Sequence, residues 1–408
     1  MAVITIAAAA ARVYQYSNAQ RAHSRPPLAV HQTQQHKLAR NGFIVAKVAC
    51  QMATITVAHA AGASITTTAT DVSTTDGPGT GPREIGAAVP HMLPIGPDGL
   101  ALWYRTWGNA ASGIPVLFVH GGPGNCVDDY QDVNARFFDA KKFYVVEVDQ
   151  RGTGNSQPSV RAAHAHMQRY LNISIAQMSA DFESVRTHLG IEQWLVFGGS
   201  WGSTLGLDYA ERYTSRCLGL IIRGIYLNTK PEFDAIYARN SFDNNARRQA
   251  EFDVFLELAS AEAKREGQPP LTNWPQDSER FIRLYERMIL RGDREACWRF
   301  HVFENNLMEE DPADLLDPTI IDESQLPEAQ SVAFFECRLF LRGTFEEPID
   351  LVGAVGALEK LPTWVVQGTG DEVCPEIFAQ SLVQAMEAAS VVSLCTFFLA
   401  PSLESLSC

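Results

Sequence analysis

From Leu100 onward, short apolar runs alternate with segments whose apolar residues recur every three or four positions. The runs ALWYRTWG, PVLFVHGGPG, FYVVEVDQRG, WLVFGG, LGLIIRGIYL and PTWVVQGTGD are dense in Val, Leu, Ile and Phe, and most break into glycine. Continuous runs of this kind predict strands buried on both faces, as in a parallel sheet. Between two of them, Met178, Phe182, Val185 and Leu189 fall at spacings of four, three and four, which places them on one helix face. Gly190 stands just past the end of that helix, as a C-cap does. Strands alternating with helices predict an α/β chain with crossover connections.

Two intervals break this texture. Residues 229–349 are charged, rich in Arg, Glu and aromatics, and without strand-like runs, which predicts a helical insertion too long to be a loop. The first seventy residues contain no Asp or Glu but carry Arg12, Arg21, Arg25, Lys37, Arg40 and Lys47 among Ala, Ser, Thr and Gln. An acid-free, Arg-bearing, hydroxyl-rich leader is expected to be an organellar transit peptide, for a mitochondrion or a plastid. The alternative is an untranslated upstream extension, which leaves the protein cytoplasmic. The expected organisation is a disordered leader over 1–85, a core over 86–228, a helical cap over 229–349 and a second core part over 350–408. TTDGPGTGP, ending at Pro82, is the expected linker.

Composition narrows the class. The 408 residues are 46% hydrophobic and 20% charged, with a net charge of −14. Such a charge argues against nucleic acid or an anionic membrane as partner. No apolar run is long enough to span a bilayer. Eight cysteines are scattered without a CxxC pair, so neither a disulfide framework nor a zinc site is expected. The histidines His164 and His166 in RAAHAHMQRY have no third ligand nearby. No metal or cofactor is expected.

The candidate chemistry lies at the strand ends. Gly198-Gly199-Ser200-Trp201-Gly202 fits G-x-S-x-G between a strand and a helix, where a strained turn lifts a serine hydroxyl above the sheet. The helix N-terminus behind it favours a developing oxyanion. Earlier, FVHGGPG ends another strand, and its glycines expose backbone N–H groups but lack the lysine and spacing of a phosphate loop. The amides of Gly122 and Trp201 are the expected oxyanion hole, with His120 packing the loop rather than acting as base. Asp371 follows the late strand in VVQGTGDEVCP, where the order Ser, acid, His puts the acid. Its other reading is an ordinary turn aspartate.

Together HGGPG, DQRGTGNS, LGIEQWLVFGGSWGSTLGLDYAERY, RGIYL and GTGDEVCP resemble the proline iminopeptidases, the prolyl aminopeptidase branch of the α/β-hydrolases. The resemblance covers roughly residues 90–388. It implies an α/β-hydrolase fold: a mostly parallel sheet of about eight strands with a helical cap after the sixth. It implies a serine peptidase that releases N-terminal proline, with Ser200 as nucleophile and Asp371 orienting a histidine. It further implies that cap glutamates accept the substrate's free α-amino group, and CWRFHVFENN and FFECRLF place Glu304 and Glu336 in that role. Phe300 and Phe303 stand where the family has Trp, Arg338 where it has His, and Leu339 where it has Tyr.

One member of the triad does not follow. The family's histidine lies some two dozen residues after the acid, in a Gly-His pair, which falls near Leu399 here. None of the ten histidines follows Asp371, and His301 in the cap is the single other candidate that could approach the site. After about residue 388 the family-like texture fades. Three readings stay open: a peptidase lineage with an altered C-terminus and impaired catalysis, a catalytically silent hydrolase fold kept as a binding protein, and an amide or ester hydrolase of other specificity.

Overall fold

The apolar runs lie side by side in one eight-stranded sheet. The computed structural model describes residues 2–4, 55–57, 88–96, 99–130, 137–309, 311–391 and 395–400. The strands are β1 (Val89–Pro94), β2 (Ala101–Gly108), β3 (Ile114–Val119), β4 (Phe143–Val148), β5 (Trp194–Ser200), β6 (Cys217–Ile225), β7 (Thr363–Gly368) and β8 (Cys395–Ala400). Their order is β8-β7-β6-β5-β3-β4-β2-β1. β1 pairs antiparallel with β2, and β2 with β4, while the other pairings are parallel.

Burial on both faces explains why these strands carry unbroken apolar runs. Val196, Leu220, Ile222 and Val365 pack into the larger core, whereas Leu195, Phe197, Ile221 and Trp364 pack into a second core on the opposite face. The larger core takes in α1 (Ile175–His188) through Met178, Phe182 and Val185. Ser174 caps the start of α1, accepting from the Gln177 amide. At its other end Gly190 has φ 65°, and the amides of Gly190 and Ile191 reach back to the carbonyls of Thr187 and Arg186. Glycine adopts that left-handed turn without a Cβ penalty.

Between β6 and β7 the chain forms α3 (Lys230–Tyr237), α4 (Ala246–Arg265), α5 (Ser278–Leu290), α6 (Arg294–Met308) and α7 (Leu326–Leu341). Rings hold these helices together: Phe255 lies 4.4 Å from Phe303, 5.4 Å from Phe300 and 4.9 Å from Phe281. Phe300 and Phe303 therefore belong to the aromatic core of the cap. After β7, α8 (Glu376–Ala388) returns along the sheet, and β8 pairs with β7 from Cys395 opposite Thr363 to Ala400 opposite Gly368.

Two features were not legible in the sequence. β1 is an exposed antiparallel edge strand with little apolar signal. In the expected leader, Ala2–Ile4 pairs antiparallel with Ile55–Val57, where β-branched residues oppose one another. The rest of the leader and the TTDGPGTGP linker lie outside the described residues.

The strand order reverses between β3 and β5: β3 leads on one side to β4 and the chain then returns to β5 on the other. At such a switch point the loops leaving the two carboxyl ends diverge and open a crevice. HGGPG leaves β3 there, and Ser200 ends β5.

Candidate active site

Ser200 sits between β5 and α2 (Trp201–Arg212) at φ 56°, ψ −129°, a conformation that a residue with a side chain rarely adopts. The flanking glycines make it feasible. A Cβ on Gly198 would stand 2.1 Å from the Gly202 carbonyl oxygen, and one on Gly202 2.3 Å from that of Val119. The turn is braced from behind, since Ser203 Oγ donates to the Ser200 carbonyl at 2.7 Å and accepts from the Tyr226 amide at 3.0 Å. Strain stored at one residue and held by its surroundings is the signature of a functional turn.

The HGGPG loop lies directly beside it. A Cβ on Gly121 would stand 3.5 Å from the Ser200 Cβ. Trp201 is the first residue of α2, so its amide is among those a helix leaves without an intrahelical partner. Gln150, from DQRG, joins the two segments. Its Nε2 donates to the His120 carbonyl at 2.8 Å, and its Oε1 accepts from the Trp201 indole at 3.1 Å. Its amide donates to His120 Nε2 at 3.1 Å, which leaves Nδ1 as the donor to the Gly121 carbonyl at 2.9 Å. Burial lowers His120 to about 4, so the ring is a neutral brace at neutral pH. Nothing in the sequence marked Gln150 beyond its place in the DQRG motif.

Asp371 is buried after β7, and its Oδ1 accepts from the amides of Val373 at 3.1 Å and Cys374 at 2.8 Å. Gln367 ties this loop toward the serine: Oε1 accepts from the Ile225 amide at 2.8 Å, and Nε2 donates to the Cys374 carbonyl at 2.7 Å. Ile225 is in turn the register partner of Ser200. The acid and the serine thus stand at the carboxyl ends of β7 and β5, joined across β6.

The other described histidines have partners of their own. His91 stacks on Tyr104 at 4.8 Å, with His188 edge-on to the same ring at 6.4 Å. His166 Nδ1 meets the Ser159 carbonyl at 2.7 Å, and His164 lies against Gly292. His301 packs 5.6 Å from Trp298 and beside Asn305, and burial lowers it to about 4. His23, His31, His36 and His59 lie outside the described residues. Leu399, where the resemblance puts a histidine, is a strand residue opposite Gln367.

The cap brings its two glutamates together. Tyr237, at the end of α3, places its hydroxyl 2.9 Å from Glu304 Oε1 and 3.0 Å from Glu336 Oε2. Glu304 comes from α6 and Glu336 from α7. Desolvation pushes Glu304 up to about 7; desolvation and the neighbouring Glu304 charge push Glu336 well above its ordinary value. α7 also reaches the serine loop. Ser331 Oγ donates to the Gly124 carbonyl at 2.7 Å, and Phe340 lies 5.8 Å from Trp201 and 4.9 Å from Tyr226. Arg338 points away from this cluster, pairing with Glu286 at 2.5 Å and also with Glu346. Among the described residues no cluster of three or more His, Cys, Asp or Glu is arranged to hold a metal, and no helix is long and apolar enough to cross a membrane.

Residues 114–290 match the family model described as alpha/beta hydrolase fold. The chain is 31% identical over 301 residues to the probable proline iminopeptidase of Leptolyngbya boryana, covering 71% of this chain and 82% of that one. It is 29% identical over 296 residues to the proline iminopeptidase of Neisseria meningitidis serogroup B, covering 71% and 84%. Among solved structures it aligns with the proline iminopeptidase of Mycobacterium smegmatis at 19% identity and a TM-score of 0.46, over 78% of this chain and 92% of that one.

Proposed function

The chain belongs to the proline iminopeptidase family of α/β-hydrolases, and from that membership we propose that it binds peptides bearing a free N-terminal proline and transfers their prolyl group to Ser200. One observation carries the reading: the strained serine of β5 and the Glu304–Tyr237–Glu336 cluster are linked through a single helix, α7. A substrate ammonium held at the glutamates is fixed at one end of its first residue. Phe340, one turn along α7 from Glu336, packs against Trp201, the residue after the serine, so the proposed ammonium site and the nucleophile share one helix.

In the proposed reaction Ser200 Oγ attacks the prolyl carbonyl and the amides of Gly122 and Trp201 receive the oxyanion. The serine proton passes to the amine of the next residue, which leaves, and water then adds to the acyl-enzyme, releasing proline and restoring the serine hydroxyl. Asp371 is the acid that would orient a histidine, but residues 372–408 contain none. Without a base to take the serine proton, the Ser200 hydroxyl is a weak nucleophile, and turnover by these 408 residues is expected far below that of a complete triad. That absence also favours a second reading, in which the chain binds such peptides without turning them over.

A chromogenic L-prolyl amide, assayed with the 408-residue chain and its Ser200→Ala variant, tests both. Slow turnover that disappears in Ser200→Ala supports the impaired peptidase. Saturable binding with equal background in both proteins supports the silent binder. Turnover at ordinary enzyme rates, or turnover unaffected by Ser200→Ala, overturns the impaired-triad reading.

A further inference from the structure

The cap site contains more than two acids. A phenolic hydroxyl has one hydrogen, yet Tyr237 Oη lies at hydrogen-bond distance from an oxygen of both Glu304 and Glu336. If both carboxyls were ionised, one of them would face the hydroxyl's lone pairs at close range. A single proton on the pair removes the conflict: the protonated carboxyl donates, and the tyrosine hydroxyl or the other carboxylate accepts. The two carboxyls also bear on each other, the Glu304 charge raising Glu336. Among the described residues no Lys or Arg forms an ion pair with either glutamate, so the buried negative charge is not balanced from within the cap.

We propose that Tyr237 is a specificity-determining residue that holds Glu304 and Glu336 as a one-proton pair of single negative charge, matched to one ammonium group. The inference rests on the reading of the glutamates as the amino-group site and deepens it. The resting pair and one ammonium together are neutral, which is the least costly state for a buried site. Acidification loads a second proton and makes the pair neutral, so cation affinity falls at low pH. The single hydrogen bond that Tyr237 donates favours the charged form of the carboxylate that receives it. Removing the hydroxyl therefore raises the pH at which the pair acquires its charge. Tyr226 and Cys337 are the other titratable groups bearing on Tyr237, and Glu232 and Cys374 bear in turn on Tyr226. Tyr226 and Cys337 are held neutral by burial, and the Glu232 carboxyl is engaged by the Thr229 hydroxyl and the Leu227 and Thr229 amides.

The test is calorimetric titration of L-prolinamide into the full chain between about pH 5.5 and 8.5, with N-acetylprolinamide as uncharged control. Wild-type affinity should rise close to tenfold per pH unit at the acid end, as one-proton linkage requires, and then level off. In Tyr237→Phe, whose ring keeps its contacts with Phe233 and Phe300, the levelling point should move up by about one unit, with affinity at neutral pH lower by several-fold. Infrared titration of the ligand-free proteins should show the protonated-carboxyl band persisting to higher pH in the variant. Superimposable profiles for wild type and Tyr237→Phe, with binding lost in Glu336→Gln, overturn the inference and leave the amino-group reading standing. Equal binding of the acetylated control, or no loss in Glu336→Gln, overturns both.

Discussion

The indole of Trp201 donates to Gln150 Oε1 at 3.1 Å, and through the other end of that amide the helix start is bound to the carbonyl of His120 at 2.8 Å. A single buried side chain therefore sets the separation between the loop after β3 and the first residue of α2. The two amides expected to receive an oxyanion sit on these two segments, and neither segment can shift without straining a hydrogen bond to Gln150.

Gln150→Leu should therefore cost more than its volume change suggests. It leaves the Trp201 indole N–H and the His120 carbonyl buried without partners, at roughly 1–3 kcal/mol each. A loss of about 2–5 kcal/mol in urea unfolding is expected. Gln150→Glu keeps the acceptor for the indole but loses the donor to His120, and should fall between wild type and Leu.

The glycines of the serine turn give a sharper contrast. Ala at Gly198 or Gly202 puts a methyl 2.1 or 2.3 Å from a backbone oxygen, which no rotamer change relieves. Either variant should unfold at markedly lower denaturant or fail to accumulate folded, losing several kcal/mol. Gly206, one turn further along α2, would place its methyl 3.5 Å from Val196 Cγ1 and farther from everything else. Gly206→Ala should gain up to about 1 kcal/mol from helix propensity. If Gly202→Ala matched it, the turn would not have the geometry described.

The serine turn and its glycines were legible because a strained turn admits few residue types and leaves a local signature. So were most strands, since burial on both faces demands unbroken apolar runs. Tyr237 and Gln150 were not. Each acts through partners distant in sequence, Glu304 and Glu336 for one and His120 and Trp201 for the other, and no local spacing encodes such a meeting. Phe300 and Phe303, which stand where the family has Trp, join the aromatic packing between α4, α5 and α6.

The glutamate pair should make stability depend on pH. Glu304 ordinarily titrates at 4.5, and desolvation raises it to about 7 in the fold. Between those values the native state holds more proton than the unfolded chain, so its stability falls as pH rises through that window. Glu304→Gln removes this contribution, and its advantage over wild type should grow from about pH 4.5 to about pH 7, reaching on the order of 2–4 kcal/mol. Buried His120 and His301, both lowered to about 4, act in the opposite direction over the acid part of the range, but they are common to both proteins and cancel in the difference. Chemical denaturation of the two proteins across the range checks the sign.

Arg338 offers a way to separate cap stability from ligand recognition. It stands where the family resemblance puts a histidine, yet its guanidinium pairs with Glu286 at 2.5 Å and with Glu346, on the side of α7 away from Tyr237. Both Arg338 and Glu286 are buried. Arg338→Leu strands Glu286 as an uncompensated buried charge and should cost about 3–5 kcal/mol. Exchanging both ends, Arg338→Leu with Glu286→Leu, removes that penalty and should recover most of the loss, since a packed apolar pair often equals a buried ion pair. Prolinamide affinity in the double variant should match wild type, because neither residue touches the Glu304–Tyr237–Glu336 cluster. A folded double variant that no longer bound the amide would instead place Arg338 in ligand recognition.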